Sequence, residues 1–152
     1  AGGVPGIRKL AGEGLQINLA VSLNAPIQEL RAKLMPIAVK YPLDRLMDAL
    51  REYVSTVGRL ITLEYVLLRG VNDSPEMASL LGGMAAELFC RVNLICYNEV
   101  AGVSYEPPTP DTIRRFMTAL SQRCPTVVRR VSRGNDISAA CGQLHTRSRG
   151  TR

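Results

Sequence analysis

Apolar runs of strand length alternate with helical patterns along this chain, and that alternation limits the possible folds more than any other feature. The runs are Ile17 to Leu23, Leu60 to Leu68, Val92 to Tyr97 and Thr126 to Val131. Nearly continuous apolar runs are typical of strands that are covered on both faces. Strands separated by helices form right-handed βαβ units with a parallel sheet. The sequence therefore predicts an α/β fold, which is either a small open sheet or one part of a larger barrel.

Helices are predicted between these runs from proline starts, glycine stops and apolar residues at three- and four-residue spacing. The predicted helices begin at Pro5 (ending by Gly12), Pro26 (through about Leu34, with Pro36 ending it), Pro42 (ending at Gly58), Ser74 as a cap (through about Leu88) and Asp111 (through about Gln122). Lysines and arginines on these helices, Lys33 and Lys40 among them, are predicted to lie on solvated faces.

The charge balance favours a polyanionic partner. The 152 residues include 19 Lys and Arg against 13 Asp and Glu, a formal net charge of +6. Part of this charge comes from residues 145–152, which hold three arginines and no apolar side chain. We predict one domain over residues 1–144 and a disordered basic tail over residues 145–152.

The cysteines indicate a reduced, intracellular protein. Cys90, Cys96, Cys124 and Cys141 are too far apart for a Cys-x-x-Cys metal or redox pair. Neither a signal peptide nor an apolar run of membrane length is present, so we predict a cytoplasmic protein with no membrane partner.

Polar residues follow the first three strands, where parallel α/β folds bind ligands. They form the clusters Ser22 and Asn24, Asn72 and Asp73, and Asn98 and Glu99. Their hydroxyl and amide groups suit ribose, carboxylate or base recognition, although the same residues are also typical of turns. Glu64 lies in mid-strand and can point into a barrel lumen, where it would need a partner. A glycine-rich dinucleotide motif and a Walker loop are both absent.

The stretch before residue 145 combines arginines with a cysteine among small residues. Arg129, Arg130 and Arg133 suit either nucleic-acid binding or the lowering of a thiol pKa. Asp136 is a candidate N-cap for a short helical turn that carries Cys141. The alternative is a buried cysteine on a short helix that follows a solvated basic strand.

Five ordered blocks together resemble a known family. They are Asn18 to Pro26 (NLAVSLNAP), Leu34 to Ile37 (LMPI), Glu64 to Asp73 (EYVLLRGVND), Asn93 to Asn98 (NLICYN) and Arg133 to Leu144 (RGNDISAACGQL). In order and spacing they resemble the C-terminal part of the radical S-adenosylmethionine methyltransferases that methylate carbon 2 of adenine in large-subunit ribosomal RNA and transfer RNA. The likeness covers residues 1–144.

The resemblance implies the C-terminal half of a partial (β/α)6 barrel of the radical S-adenosylmethionine type, with parallel strands inside and helices outside. It implies that Ser22, Leu23, Asn24 and Asn98 contact S-adenosylmethionine. The family usually has His where this chain has Asn24, and Asn can still form hydrogen bonds there but cannot titrate near neutral pH.

The resemblance also implies that Cys141 is the methyl carrier. Its thiolate takes a methyl group from one S-adenosylmethionine. A second S-adenosylmethionine is cleaved at a [4Fe–4S] cluster, and the resulting 5′-deoxyadenosyl radical activates the methyl group for addition to adenine. The cluster ligands of the family, and its resolving cysteine, would lie upstream of this chain. Ribosomal RNA, transfer RNA or both are the implied substrates, and an electron donor is the implied partner.

Two alternatives remain open from the sequence. One is a non-catalytic RNA-binding module that uses the Arg129, Arg130 and Arg133 stripe with the basic tail. The other is a related enzyme that methylates carbon 8 of adenine. Because the cluster loop is absent from residues 1–152, we expect this stretch to be inactive by itself.

Overall fold

The computed structural model describes residues 3–15, 17–97, 104–124 and 126–131, without the side chains of residues 130 and 131. The elements, in chain order, are α1 (Val4–Gly12), β1 (Leu19–Ser22), α2 (Gln28–Leu34), α3 (Ile37–Lys40), α4 (Leu43–Val57), β2 (Ile61–Leu67), α5 (Pro75–Leu88), β3 (Arg91–Cys96), α6 (Pro110–Ser121) and β4 (Val127–Val131). The predicted helices and strands are confirmed with small shifts of their ends. The short helix α3 was missed, because Pro36 signals the end of α2 and also begins α3.

The strands form one parallel sheet in the order β1-β2-β3-β4. The long helix of each crossover, α4, α5 or α6, buries its apolar side together with α1 in one cluster against one face of the sheet. Doubly wound sheets place helices on both faces, whereas barrels place every crossover helix outside. The described part of the chain is therefore a section of barrel wall, which resolves the two folds left open by the sequence.

Helix ends follow the local sequence. The hydroxyl of Ser74 accepts a hydrogen bond from the Met77 amide at 3.3 Å and caps α5, as predicted. Thr109 caps α6 in the same way through the Thr112 amide, at 3.2 Å. Helix α4 ends at Gly58, whose φ of +68° suits a residue without a Cβ. These residues mark where α5 and α6 begin and where α4 ends before β2.

The face of the sheet opposite the crossover helices is only partly covered by the described residues. In its middle Ala20 is exposed, and Thr62 and Glu64 are half-buried. Toward the carboxyl ends of the strands a second apolar cluster closes over it, made by Ala25, Leu34, Met35, Ala38, Val66, Leu68 and Tyr97. We call this side the open face. None of the described helices is long and apolar enough to cross a membrane.

Candidate functional site at the carboxyl ends of the strands

The segment that follows β1 is held in a defined shape by β2. The Leu23 amide donates to the Glu64 carbonyl at 2.9 Å, and the side chain of Leu23 is fully buried in the helix-side core. Asn24 then has a φ of +60°, a left-handed conformation that Asn tolerates better than most residues. The chain therefore turns sharply at the end of β1, and the predicted contact residues Ser22, Leu23 and Asn24 form the rim of the sheet.

The side chain of Asn24 is already committed to the protein. Its Oδ1 accepts from the Val66 amide at 2.9 Å, and its Nδ2 lies 3.5 Å from the sulfur of Met35. The residue is 2% exposed. The described residues around Asn24 enclose its amide oxygen, which therefore faces no open space. Asn24 therefore helps to shape the rim, and its side-chain amide has little capacity left to bind a ligand.

Asn72 joins the ends of β1 and β2 from the other side. Its Nδ2 donates to the carbonyls of Asn24 and Val66, each at 2.8 Å, and its Oδ1 accepts from the Leu68 amide at 2.8 Å. The Tyr65 hydroxyl donates to the Asn72 carbonyl, also at 2.8 Å. The structure thus brings together two of the predicted polar clusters, but it uses their amides to satisfy main-chain groups.

Arg31 corrects one of the sequence predictions. Helical arginines were expected on solvated faces, yet Arg31 of α2 is fully buried. Its Nε donates to the Leu23 carbonyl at 3.2 Å, and its guanidinium nitrogens lie 3.4 Å from the carbonyls of Ser22 and Tyr41. A buried cation needs such acceptors, and the strand end supplies them because its last carbonyls have no further strand partner. Burial lowers the pKa of Arg31.

After these contacts, the hydroxyl of Ser22 is the polar side chain left available on this rim segment. Ser22 is half-buried, and its hydroxyl has no hydrogen-bond partner among the described residues. The carbonyls of Ser22 and Leu23 are taken by Arg31, and the Leu23 amide is taken by Glu64. A ligand at this rim would therefore be recognised through the Ser22 hydroxyl rather than through the carbonyls.

A groove of about 760 Å³ lies beside the rim, between α2, the turn after β2 and residues 104–106. Leu30, Lys33 and Val71 are among its lining residues, and so are Arg69 and Glu106, which form an ion pair at 3.4 Å. Both partners of that pair are exposed, so the pair contributes little to stability. The groove is an open surface feature next to the ends of the strands.

Several predicted site residues lie outside the described residues. Asn98, with its neighbour Glu99, and Cys141 fall there, as do Arg133 and the tail over residues 145–152. Their predicted roles stay predictions. Arg129 of β4 is described and is exposed, with no ion pair to any described residue.

The described cysteines are buried on the helix side of the sheet and are reduced. Cys90, Cys96 and Cys124 all belong to the core between the sheet and its helices. The Cys124 thiol lies 3.9 Å from the Cys90 carbonyl, and burial, with the neighbouring Cys124, raises the pKa of Cys90 to about 12. Within the described ranges, no three His, Cys, Asp or Glu side chains are grouped so that they could hold a metal ion.

Comparison with known proteins supports the fold and the resemblance. A radical SAM methyltransferase from Sphaerobacter thermophilus superposes with a TM-score of 0.84 at 46% identity, over 95% of this chain and 42% of that one. A domain of pyruvate-formate lyase-activating enzyme from Bacteroides vulgatus superposes with a TM-score of 0.51 at 15% identity, and shows the fold alone. The wall formed by β1 to β4 is thus the α/β wall of a radical S-adenosylmethionine barrel, as predicted.

Curated relatives carry the identification further. The chain is 50% identical over 138 residues to the probable dual-specificity RNA methyltransferase RlmN of Nostoc punctiforme, covering 91% of this chain and 38% of that protein. It is 46% identical to the corresponding protein of Desulforudis audaxviator, covering 96% and 46%, and 49% identical to the dual-specificity RNA methyltransferase RlmN of Geobacter sulfurreducens, covering 95% and 40%. No protein-family model matches.

The resemblance predicted from the five sequence blocks is therefore confirmed: over more than nine tenths of its length this chain is similar to proteins named dual-specificity RNA methyltransferases and to a radical SAM methyltransferase. It spans about two fifths of the length of the relatives just described.

Proposed function

We propose that this chain is part of an RNA methyltransferase of the radical S-adenosylmethionine type that methylates carbon 2 of an adenine in ribosomal RNA, with transfer RNA as a further substrate. The observation that carries the proposal is the 46–50% identity to proteins named dual-specificity RNA methyltransferases, which extends over more than nine tenths of the chain. The barrel wall and the rim after β1 fit that activity.

The described residues fit S-adenosylmethionine at the rim. The Ser22 hydroxyl is half-buried, lies at the carboxyl end of a parallel strand and has no described partner, which is the position where such folds bind nucleosides. Leu23 and Asn24 would contribute mainly through backbone shape, because their main-chain and amide groups are already bonded. Asn98 remains a proposed contact on the basis of the resemblance. The described residues do not supply a ligand set for a [4Fe–4S] cluster.

S-adenosylmethionine supplies, when bound with a reduced cluster, both the methyl group and a radical able to activate a carbon that is not nucleophilic. In this chain we assign the nucleophile to Cys141. Its thiolate sulfur forms the new bond to the methyl carbon while the bond from that carbon to the sulfonium breaks, and S-adenosylhomocysteine leaves. The thiolate is the reactive form, so a neighbouring positive charge would favour this step.

The RNA partner is supported by charge. The chain carries a formal +6, and Arg129 is exposed on β4 with no described ion pair. Neutralising phosphates with such arginines gives salt-dependent affinity that does not depend on base sequence. The proposed reaction needs reduced thiols and an electron donor, so we place it in the cytoplasm.

The test is methylation by the protein with its complete native sequence, reconstituted anaerobically with iron and sulfide. Ribosomal and transfer RNA that lack the modification are treated with S-adenosylmethionine, digested to nucleosides and analysed by mass spectrometry. We expect 2-methyladenosine, and we expect Cys141→Ala to abolish it while leaving RNA affinity unchanged. Cys124→Ala is the matched control, since that thiol is buried in the helix-side core.

Other outcomes separate the alternatives. Formation of 8-methyladenosine would replace the carbon 2 assignment with carbon 8. RNA binding with no methylated product, in a protein that holds its cluster, would support the non-catalytic RNA-binding module. Residues 1–152 expressed by themselves should show no [4Fe–4S] absorbance after reconstitution, and a bound cluster there would contradict the proposal that the cluster ligands lie elsewhere.

A further inference from the structure

A row of polar side chains crosses the open face of the sheet. Ser22 of β1 pairs in register with Glu64 of β2, and Glu64 pairs with Asn93 of β3. Their sequence neighbours Val21, Leu63 and Leu94 all lie in the helix-side core. Because side chains alternate between the two faces of a strand, Ser22, Glu64 and Asn93 share the opposite face. Paired Cα atoms in neighbouring strands lie about 5 Å apart, so the three side chains are adjacent.

One atom of this row is an unsatisfied buried acceptor. Asn93 is 6% exposed, and its Oδ1 is buried with no hydrogen-bond partner among the described residues. A buried amide oxygen without a donor costs free energy, and native proteins rarely keep one without a reason. Glu64 beside it is half-buried and makes neither an ion pair nor a side-chain hydrogen bond with any described residue. Adjacent strand positions therefore carry two oxygen acceptors that receive no hydrogen bond from any described side chain.

The chemistry of these atoms defines what would satisfy them. A carboxylate and an amide oxygen both accept hydrogen bonds, so the complementary group must offer at least two O–H or N–H donors. A sulfonium centre carries no such donor. The neighbouring hydroxyls of a ribose carry two, and acidic side chains in nucleotide-binding α/β folds accept from ribose hydroxyls in this way. The remaining member of the row, Ser22, is also the rim residue that is open to a ligand.

We propose that Glu64 and Asn93 form an acceptor pair on the open face that binds the ribose hydroxyls of S-adenosylmethionine. The inference rests on the proposed function, because it takes its ligand from there. Asn93 is kept in spite of its cost to the ligand-free protein, and the bound ribose supplies the missing donor. Ser22 is next to Glu64 in the same row, at the end of β1.

The test measures ligand affinity and thermal stability in the protein with its complete native sequence. Binding of S-adenosylmethionine and of S-adenosylhomocysteine is measured by calorimetry for wild type, Glu64→Gln, Asn93→Leu and the control Thr62→Val, which alters the neighbouring position on the same face. We expect each of the first two substitutions to weaken both ligands roughly tenfold, the size of one lost hydrogen bond to a polar or charged group. Thr62→Val should leave affinity unchanged within about twofold.

Asn93→Leu also gives a readout that separates binding from folding. Replacing an unsatisfied buried amide by an apolar group of similar shape relieves its cost, so the ligand-free variant should melt at or above the wild-type temperature while binding ligand more weakly. A lower melting temperature together with unchanged affinity would overturn the proposal and give Asn93 a purely structural role.

Ligands with a deoxyribose test whether the Glu64 carboxylate contacts a ribose hydroxyl. S-adenosylhomocysteine and its 2′-deoxy and 3′-deoxy forms are compared on wild type and on Glu64→Gln. If Glu64 binds a ribose hydroxyl, the loss of that hydroxyl and the loss of the carboxylate will not be additive. Additive losses for both deoxy forms would overturn the assignment. If the wild-type protein binds no S-adenosyl ligand, the proposed function itself fails. If the wild type and the variants bind the ligand equally well, the proposed function stands and only the acceptor pair is overturned.

Discussion

The side-chain nitrogen of Asn72 lies 2.8 Å from the main-chain oxygen of Asn24, so an amide on the turn after β2 holds the sharp turn after β1. These residues are 48 positions apart in the chain. The contact joins the ends of adjacent parallel strands, at the place where the ladder of main-chain hydrogen bonds stops and its last groups would otherwise be unpaired.

Asn72→Ala should destabilise the protein strongly. The substitution leaves the Leu68 amide and the carbonyls of Asn24 and Val66 without their partner. Each buried group left unsatisfied costs about 1–3 kcal/mol, less what water can restore. Urea unfolding measures the loss. Asp73→Ala is the control, since among the described residues that side chain accepts a hydrogen bond from the exposed Gly70 amide alone, and its loss should cost under about 1 kcal/mol.

Arg31→Met should lower stability and loosen the rim after β1. The methionine keeps much of the buried volume but leaves the carbonyls of Ser22 and Leu23 unpaired, at about 1–3 kcal/mol each. Thermal unfolding measures the first effect, and hydrogen exchange in the peptide that spans residues 19–25 measures the second. Lys33→Met on the same helix is exposed and should change neither. Equal effects of the two substitutions would contradict the role given to Arg31.

Neighbouring glycines of α5 should respond with opposite signs. A Cβ at Gly82 would stand 2.9 Å from the Cβ of Arg123 and 3.4 Å from the Leu120 carbonyl, so Gly82→Ala forces α5 away from α6 and should cost about 1–3 kcal/mol. A Cβ at Gly83 would meet only the flexible end of Arg123, at 3.5 Å. Gly83→Ala should therefore stabilise the helix by about 0.5–1 kcal/mol. Denaturant titration measures the free energy of unfolding of both variants. If both variants were less stable than wild type, the predicted difference in sign would be contradicted.

Stability should fall on the alkaline side because of Cys90. Burial, with the neighbouring Cys124, raises the pKa of Cys90 from 9.0 to about 12 in the folded state, so the folded protein keeps a proton that the unfolded chain releases. This contribution is complete below pH 9 and is lost as the pH rises toward 12. The slope of unfolding free energy against pH between 9 and 11 should be smaller for Cys90→Ala than for wild type. An unchanged slope would mean that the thiol ionises freely in the native protein.

The alternation of strands and helices could be predicted because it depends on local patterns. The proline and glycine signals around α4 and the Ser74 cap of α5 act within a few residues, so their predicted positions are confirmed. The choice between an open sheet and a barrel wall could not be made locally. It depends on which face each crossover helix covers, and that is decided by packing between distant elements.

The candidate site was predictable in its residue types and not in their contacts. The clusters at Asn24 and Asn72 were expected at one edge of the sheet, and they lie there. Their use in bonding main-chain groups depends on a strand register that no short pattern reveals. Arg31 was misassigned because an arginine on an amphipathic helix is usually solvated, and only the tertiary structure shows the strand-end carbonyls that receive it. The row formed by Ser22, Glu64 and Asn93 likewise depends on register across the sheet.

The burial of Arg31 has a consequence for titrations with salt. Dissolved ions screen charges that are exposed to solvent, and they have much less effect on the buried guanidinium of Arg31. Raising the ionic strength should therefore weaken the proposed binding of RNA to exposed arginines such as Arg129, while the end of β1 that Arg31 binds keeps its shape. Potassium chloride thus offers a simple way to separate the docking of the proposed polyanionic partner from the binding of the proposed nucleoside ligand.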